Sequence, residues 1–405
     1  MDIYSSKKKE KYAKKHTKKM SSKKKRVIIA LSSVLFALAI ILGVVFGVFI
    51  DMLKDYNHNE ITDNDINNIE SIDKDIVNIA LFGIDTRTQG SFKGLSDSIM
   101  ILSINTSDGK IKIISIMRDS LVEIPGKKEN KINAAYSIGG PELAIKTLNH
   151  NYGLDIKEYA TVNFYGMADI IDAVGGVEVE VRAAELNAFG GLNACITEQA
   201  QIIGAKPDYV EKAGLQNLNG IQAVAWARIR MVATSEGVAN DFGRTDRQRY
   251  VMEQLLNKAI KMEKTKYPSL IKALLPHMET SLSYSEILNL AGVLTKQIDF
   301  EQTRVPQQSY TIAGPAINRV GSYVYYNLDF ASDVIHAVIY EDYTQDQYLD
   351  EILASTPYAK KPWYTGPVSK PSSTGASSTA QSSDEGTDSQ PESTATSTSS
   401  EEPAA

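Results

Sequence analysis

Val77-Asn78-Ile79-Ala80-Leu81-Phe82-Gly83 opens the part of this 405-residue chain whose reading decides the fold. A short, mostly apolar run that stops at a glycine reads as a strand. Two more strand-like runs follow at 98–104 and 110–116, with Asp108-Gly109 between them as a hairpin turn. Further on, a proline in the first turn and the spacing of Leu143, Ile145 and Leu148 predict a helix over 141–151. Residues 159–164 read as a strand, 167–174 as a helix and 177–181 as an alternating strand. Helices are predicted over 220–229, 245–262, 283–297 and 330–340. Strands interleaved with helices predict a three-layer α/β/α domain with a central mixed β-sheet, set here at 75–365. No repeat of solenoid period is present.

Outward from that domain the composition changes. Residues 1–26 hold a dense run of lysines against only Asp2 and Glu10, so an anionic partner is expected for that tail alone. Residues 27–50 are uncharged and apolar, broken only by Ser32, Ser33, Gly43 and Gly47. As a helix they reach roughly 36 Å, enough to cross a hydrocarbon layer. Ala37-Leu38-Ala39 offers the competing reading of a cleaved signal, yet the apolar run continues past the roughly 7 to 15 residues a signal needs. The expectation is a transmembrane helix over 27–50 behind a basic cytoplasmic tail, with all that follows Asp51 outside the cell membrane. Residues 51–74 are rich in Asp, Asn and Glu and read as a linker. Residues 366–405 turn to Ser, Thr, Pro, Gly and acidic residues and read as disordered. A Lys-rich arm also suits DNA phosphates, but an adjacent membrane span makes anionic headgroups the better partner, and nucleic acid is not expected.

Several chemistries are excluded by what the chain lacks. Cys195 is the single cysteine, so no intrachain disulfide forms. His16, His58, His150, His277 and His336 match no zinc spacing, which leaves any metal to oxygen ligands. There is no Gly-x-Ser-x-Gly elbow, no Walker-type loop and no His-Glu-x-x-His helix.

What remains is acid and guanidinium. Asp85 follows the first strand and Asp97 precedes the second, so antiparallel pairing would bring both carboxylates to one sheet end. Two hard oxygen ligands beside a phosphate suit magnesium; the plain alternative is that both residues cap turns. Arg118 follows the third strand, and Arg228, Arg230, Arg244, Arg247 and Arg249 come later. Guanidinium groups match phosphate oxygens two at a time, so converging arginines describe a diphosphate site, although singly each is more often a surface ion pair. Arg244, Arg247 and Arg249 precede the stripe Val251, Leu255, Leu256 and Ile260, so some of the three are expected to face solvent. Arginines would also depress the pKa of a glycosidase's general acid, the wrong direction for that chemistry.

The order of Leu81-Phe-Gly-Ile-Asp85-Thr-Arg87, Ser96-Asp97, Ser115-Ile-Met-Arg118-Asp119, Lys131-Ile-Asn133-Ala-Ala-Tyr136, Gly139-Gly140-Pro141, Val162-Asn163-Phe164, Asp172-Ala-Val-Gly175-Gly176-Val177, Leu218-Asn219-Gly220, Ala227-Arg228-Ile-Arg230 and Asp241-Phe-Gly-Arg244-Thr-Asp-Arg247-Gln248 closely resembles the LytR-CpsA-Psr family. The likeness runs over about residues 75–262. It implies an apolar tunnel for a polyprenyl tail, with a mouth that binds Mg²⁺ (or Mn²⁺) and a lipid diphosphate. On this resemblance Asp85 and Asp97 hold the metal, Arg118, Arg228, Arg230 and Arg244 grip the diphosphate, and Arg87, Lys131, Asp241 and Gln248 line the same site. The implied activity is a phosphotransferase that moves a polyprenyl-diphosphate-linked glycopolymer, such as teichoic acid or capsule, onto a peptidoglycan acceptor in a Gram-positive-type envelope. Either Asp85 or Asp241 would take the hydroxyl proton. The alternative is a non-catalytic polyprenyl-phosphate-binding protein that uses the same residues. Two positions depart from the family pattern: Leu95 stands where an arginine is usual, and Met117 where a proline is usual.

Overall fold

The computed structural model describes residues 57–349 apart from 63–65, 67–69, 295, 297, 307–311 and 315–322. In chain order the first strands are β1 (Asn57–His58), β2 (Ile76–Asp85), β3 (Leu95–Asn105), β4 (Lys110–Ile116), β5 (Leu121–Val122) and β6 (Asn130–Lys131). Helix α1 (Asn133–Tyr152), β7 (Glu158–Asn163), α2 (Phe164–Ala173), β8 (Val177–Val181), α3 (Ala183–Leu186) and α4 (Leu192–Ile203) follow. Then come β9 (Gly214–Leu218), α5 (Gly220–Ala227), α6 (Asn240–Lys261), α7 (Tyr267–Leu274), β10 (Met278–Thr280) and α8 (Tyr284–Val293). The last elements are β11 (Asp299–Val305), β12 (Ile312–Gly314), β13 (Tyr323–Tyr325) and α9 (Leu328–Tyr340).

A seven-stranded sheet of order β1-β10-β7-β2-β3-β4-β11 forms the centre. β2, β3 and β4 pair antiparallel in succession, whereas β7 runs parallel to β2 and β11 parallel to β4, so the sheet is mixed as expected. Period-two alternation along β2 sends Ala80, Phe82 and Ile84 to one face, where Ile145, Leu148 and Tyr152 of α1 and Phe330, Val334 and Val338 of α9 cover them. On the other face Ile79 and Ile104 pack against Leu282 and Val293, at the two flanks of α8. A second apolar cluster joins α2, α4, α5 and α6 to the β8–β9 hairpin. The predicted helix at Pro141 is the second half of α1, which kinks at Gly139 and at Gly140 (φ 67°) directly before the proline.

The expected transmembrane helix is corrected. Among the described residues no helix is long and apolar enough to cross a membrane. The longest, α6, spans 22 residues but carries Asp241, Arg244, Asp246, Arg247 and Arg249 in its first half, charges that hydrocarbon does not accommodate. The described structure is therefore an α/β domain without a spanning helix, and the single-pass, signal-anchor topology gains nothing from it. Residues 1–26, 27–50 and 366–405, on which the tail, span and disorder expectations fall, lie outside the described residues.

Candidate functional site

Four strand ends meet at one end of the sheet. Because β2 and β3 run antiparallel, the end of β2 at Asp85 lies opposite Leu95, at the start of β3. A bulge between Gly83 and Ile84 sets Gly83 against Ser98 and Ile84 against Ser96, which leaves Asp97 as the extra residue. Gly83 is required there, since a Cβ would sit 2.9 Å from that of Ser98. β4, antiparallel to β3, delivers Met117, Arg118 and Asp119 to the same edge, and β7, parallel to β2, delivers Asn163.

Around Arg118 these residues form one ion network. Arg118 Nη1 lies 2.5 Å from Asp97 Oδ2, Nη2 lies 3.4 Å from Asp241 Oδ1, and Nε lies 3.7 Å from Asp119 Oδ2. Arg244 sits on the first turns of α6, pairs with Asp241 at 2.9 Å and Asp97 at 3.8 Å, and donates to the Asp97 carbonyl. Arg230 reaches the same Asp241 oxygen at 3.7 Å, and Lys131 pairs with Asp119 at 2.7 Å while lying over the Tyr323 ring. Four cations thus share three carboxylates, a local excess of positive charge. Arg244 is only 3% exposed. The Nε atoms of Arg118 and Arg244 are buried and make no hydrogen bond among the described residues. Unsatisfied buried donors of this kind cost free energy that an arriving anion recovers.

Electrostatics reinforce the geometry. Burial pulls the Arg244 guanidinium down to about 10, with Arg118 and Arg230 pressing the same way and Asp241 and Asp97 opposing. It remains charged at neutral pH. Burial would also lower Arg118, but Asp241, Asp97 and Asp119 outweigh it and hold that group above its ordinary value.

The network opens onto an apolar cavity of about 340 Å³ between the second sheet face and helices α2, α5, α6 and α7. Asp97, Asn163, Arg228 and Gln248 line its polar part, and Leu81, Met100, Ile170, Val224, Leu255 and Leu274 are among its apolar walls. Arg228 lies over the Phe164 ring, donates to Gln199 Oε1 at 3.1 Å and pairs with Glu198 at 3.6 Å. One site therefore offers a cationic mouth and an apolar interior.

The structure thus gathers Asp97, Arg118, Lys131, Arg230, Asp241 and Arg244 into one network, with Arg228 and Gln248 on the cavity it adjoins. Arg87 does not join: its side chain is exposed, and its carbonyl accepts from the Tyr165 hydroxyl. Asp85 is also exposed, and its carboxylate has no hydrogen bond or ion pair among the described residues. Leu95, its cross-strand neighbour, supplies no charge to pair with it. Arg247 and Arg249 correct the expectation that part of this trio faces solvent. Arg247, 2% exposed, pairs with Glu185 at 2.7 Å and donates to the Ile229 and Val232 carbonyls, which ties down the segment carrying Arg230. Arg249 pairs with Asp246 at 2.6 Å. Asp119, Glu198 and Gln199 were missed as site residues; Asp119 could have been found beside Arg118, whereas nothing local marks the other two.

For a metal, Asp85 and Asp97 are oxygen donors of the kind a hard divalent cation takes. No group of three or more His, Cys, Asp or Glu side chains able to hold an ion exists among the described residues. Asp85 presents a free carboxylate, but Asp97 is already engaged by two arginines. Two such ligands leave the other positions of an octahedron to water and to phosphate oxygens.

Comparison with known proteins agrees with this architecture. The polyisoprenyl-teichoic acid–peptidoglycan teichoic acid transferase TagU of Oceanobacillus iheyensis is 34% identical over 266 residues, 62% of this chain and 75% of that protein. A solved structure described as TagT bound to LI-WTA superposes with a TM-score of 0.54 at 22% identity, covering 70% of this chain and 99% of that one. Another, the LytR-CPS2A-psr family protein YwtF (TagT) with bound octaprenyl pyrophosphate lipid, gives 0.50 at 21% identity over 70% and 99%. At these identities the two structures show a shared fold. The LytR_cpsA_psr family model matches residues 45–332, most of the chain. With its ordered motifs, its mixed sheet and that match, the chain belongs to the LytR-CpsA-Psr family.

Proposed function

We propose that this protein is a phosphotransferase that takes a glycopolymer from a polyprenyl diphosphate and attaches it to peptidoglycan. The observation that carries the reading is the junction of the arginine network with the apolar cavity, because a diphosphate-linked lipid is the ligand class needing both at one place. The teichoic acid transferase activity of its relatives and the octaprenyl pyrophosphate bound in a structural neighbour support it.

In this reading Arg118, Arg230 and Arg244 hold the two phosphates, while Arg228 and Gln248 orient the donor where the cavity begins. A hydroxyl of the acceptor sugar attacks the phosphorus nearer the glycan. A new phosphorus–oxygen ester bond forms, the bond to the bridging oxygen breaks, and polyprenyl phosphate leaves with that oxygen. Fixed guanidinium groups stabilise charge that grows on the leaving and equatorial oxygens, and being preorganised they need not reorient during the step. Of the two carboxylates weighed as proton acceptor, Asp241 has an oxygen shared by three guanidinium groups, which makes it a positioning residue and leaves the hydroxyl proton to Asp85. Asp85 and Asp97 would hold Mg²⁺ or Mn²⁺, and that ion, when bound, supplies further neutralisation of phosphate charge.

The test is turnover by the full-length chain with lipid-linked donor, acceptor glycan and Mg²⁺. Product that disappears in Arg118→Ala and Arg244→Ala is the expected result. A stable donor complex without product would assign lipid binding alone, and wild-type turnover in both variants would remove the arginine network from the chemistry.

A further inference from the structure

A second cavity, of about 490 Å³, lies at the other end of α5 from Arg228, bounded by the end of α2, residues 208–211, β9 and the start of α5. The length of that helix, roughly 12 Å at 1.5 Å per residue, separates it from Arg228. Gly175 and Gly176 form part of its wall, with φ of 82° and 83°. A Cβ on Gly176 would meet the Leu218 carbonyl at 2.6 Å and Asn217 Nδ2 at 2.7 Å, so only glycine fits there.

The lining carries Asp172, Asp208 and Glu211 with the amides Asn217, Asn219 and Gln222. Most of these groups are already fixed. Asp208 Oδ2 accepts from Asn219 Nδ2 at 3.0 Å, the Asp208 carbonyl accepts from Gln222 Nε2 at 3.0 Å, and Asp172 Oδ1 accepts from the Gly220 amide at 2.7 Å. Asn217 Nδ2 donates to the Gly175 carbonyl at 3.0 Å. Tyr209 stands on the same lining, half exposed, its hydroxyl 3.2 Å from Thr197 Oγ1.

This chemistry excludes most ligand classes. Its three carboxylates outweigh the one ammonium at its wall, Lys258 Nζ at 3.2 Å from the Gly175 carbonyl, so it does not hold phosphate, and with so little apolar surface it does not hold lipid. A metal is disfavoured because Asp172 and Asp208 already accept from amides, and no metal-holding group of acids is found among the described residues. What it matches is a ring dense in hydroxyl and amide groups. Planar carboxylates and carboxamides accept and donate in fixed directions, and a tethered aromatic ring covers an apolar sugar face. We infer that this cavity binds a neutral sugar residue of a glycan chain, separately from the diphosphate site. The assignment does not require the transfer reading to hold.

Calorimetric titration of the full-length chain with chitotetraose, a soluble neutral amino-sugar oligomer, tests it. Wild type should bind saturably. Tyr209→Ala should weaken binding about tenfold, the loss of one aromatic contact. Tyr209→Phe, which keeps the ring, should retain the affinity. Glu211→Ala should also weaken binding, and because that residue is exposed its unfolding temperature should match wild type. Arg118→Ala should bind the oligomer normally, so failure of the phosphotransferase reading stays distinguishable. Absence of saturable binding to wild type, equal affinity in Tyr209→Ala, or binding of spermine with none of chitotetraose would each overturn the inference.

Discussion

Arg118→Ala is the most searching perturbation, because Arg118 touches all three carboxylates of the network. Removing one partner of a buried ion pair costs about 3 to 5 kcal/mol when the other charge is stranded. Here none is stranded: Asp97 keeps Arg244 at 3.8 Å, Asp241 keeps it at 2.9 Å, and Asp119 keeps Lys131 at 2.7 Å. Arg118 is also 15% exposed, which weakens its pairs. The expected stability loss is therefore only about 1 to 2 kcal/mol, or a few degrees in Tm. Transfer should fall far more, by about 10² to 10³-fold, the usual cost of deleting one preorganised charge donor. Arg118→Lys should recover part of this, since it restores charge but not the two-pronged geometry. The assay is turnover per folded molecule, with unfolding followed in parallel. Turnover within about twofold of wild type in a folded Arg118→Ala protein would refute the assigned role.

Three further outcomes follow from particular contacts. Asp85→Asn should leave unfolding within about 0.5 kcal/mol of wild type, because the carboxylate has no partner to lose, yet it should depress transfer and flatten its response to Mg²⁺; an unchanged Mg²⁺ titration would count against Asp85 as a ligand. Ala160→Phe places a ring in the apolar cavity and should weaken polyprenyl diphosphate by about tenfold or more while inorganic pyrophosphate binds as before, measured by competition. Glu185 is pushed up by burial, but its hydrogen bonds from Arg247 and Arg182 win and hold it below its usual 4.5. A carboxylate lowered on folding stabilises above its unfolded pKa and loses that contribution as pH falls through the folded value. Glu185→Gln should therefore cost about 3 to 5 kcal/mol at pH 7, with a gap to wild type that narrows as the medium is acidified; a gap constant with pH in urea unfolding would contradict the pairing with Arg247.

The parts of this protein legible in its sequence are those with a local cause. β2, β3, β4 and the β8 strand follow from short apolar runs, and Lys110–Ile116 and Val177–Val181 fall at the expected residues. Helices α5 and α6 follow from their residue pattern, and the structure adds a capping box of Asn219 and Gln222 at the start of α5. The order of motifs was sufficient to identify the family. β11 was not legible, because Asp-Phe-Glu-Gln-Thr-Arg-Val alternates poorly and becomes a strand only by pairing parallel to β4 at the sheet edge. The orientation of the arginines was equally invisible. Periodicity places Arg244, Arg247 and Arg249 on one helix, but only the packed neighbours send Arg244 to Asp97, Arg247 to Glu185 and Arg249 to Asp246. Sequence fixes which charges exist and the local conformations they ride on; whether a given charge meets a carboxylate, a cavity or water depends on contacts between distant segments, and those exist only once the sheet has brought its strand ends together.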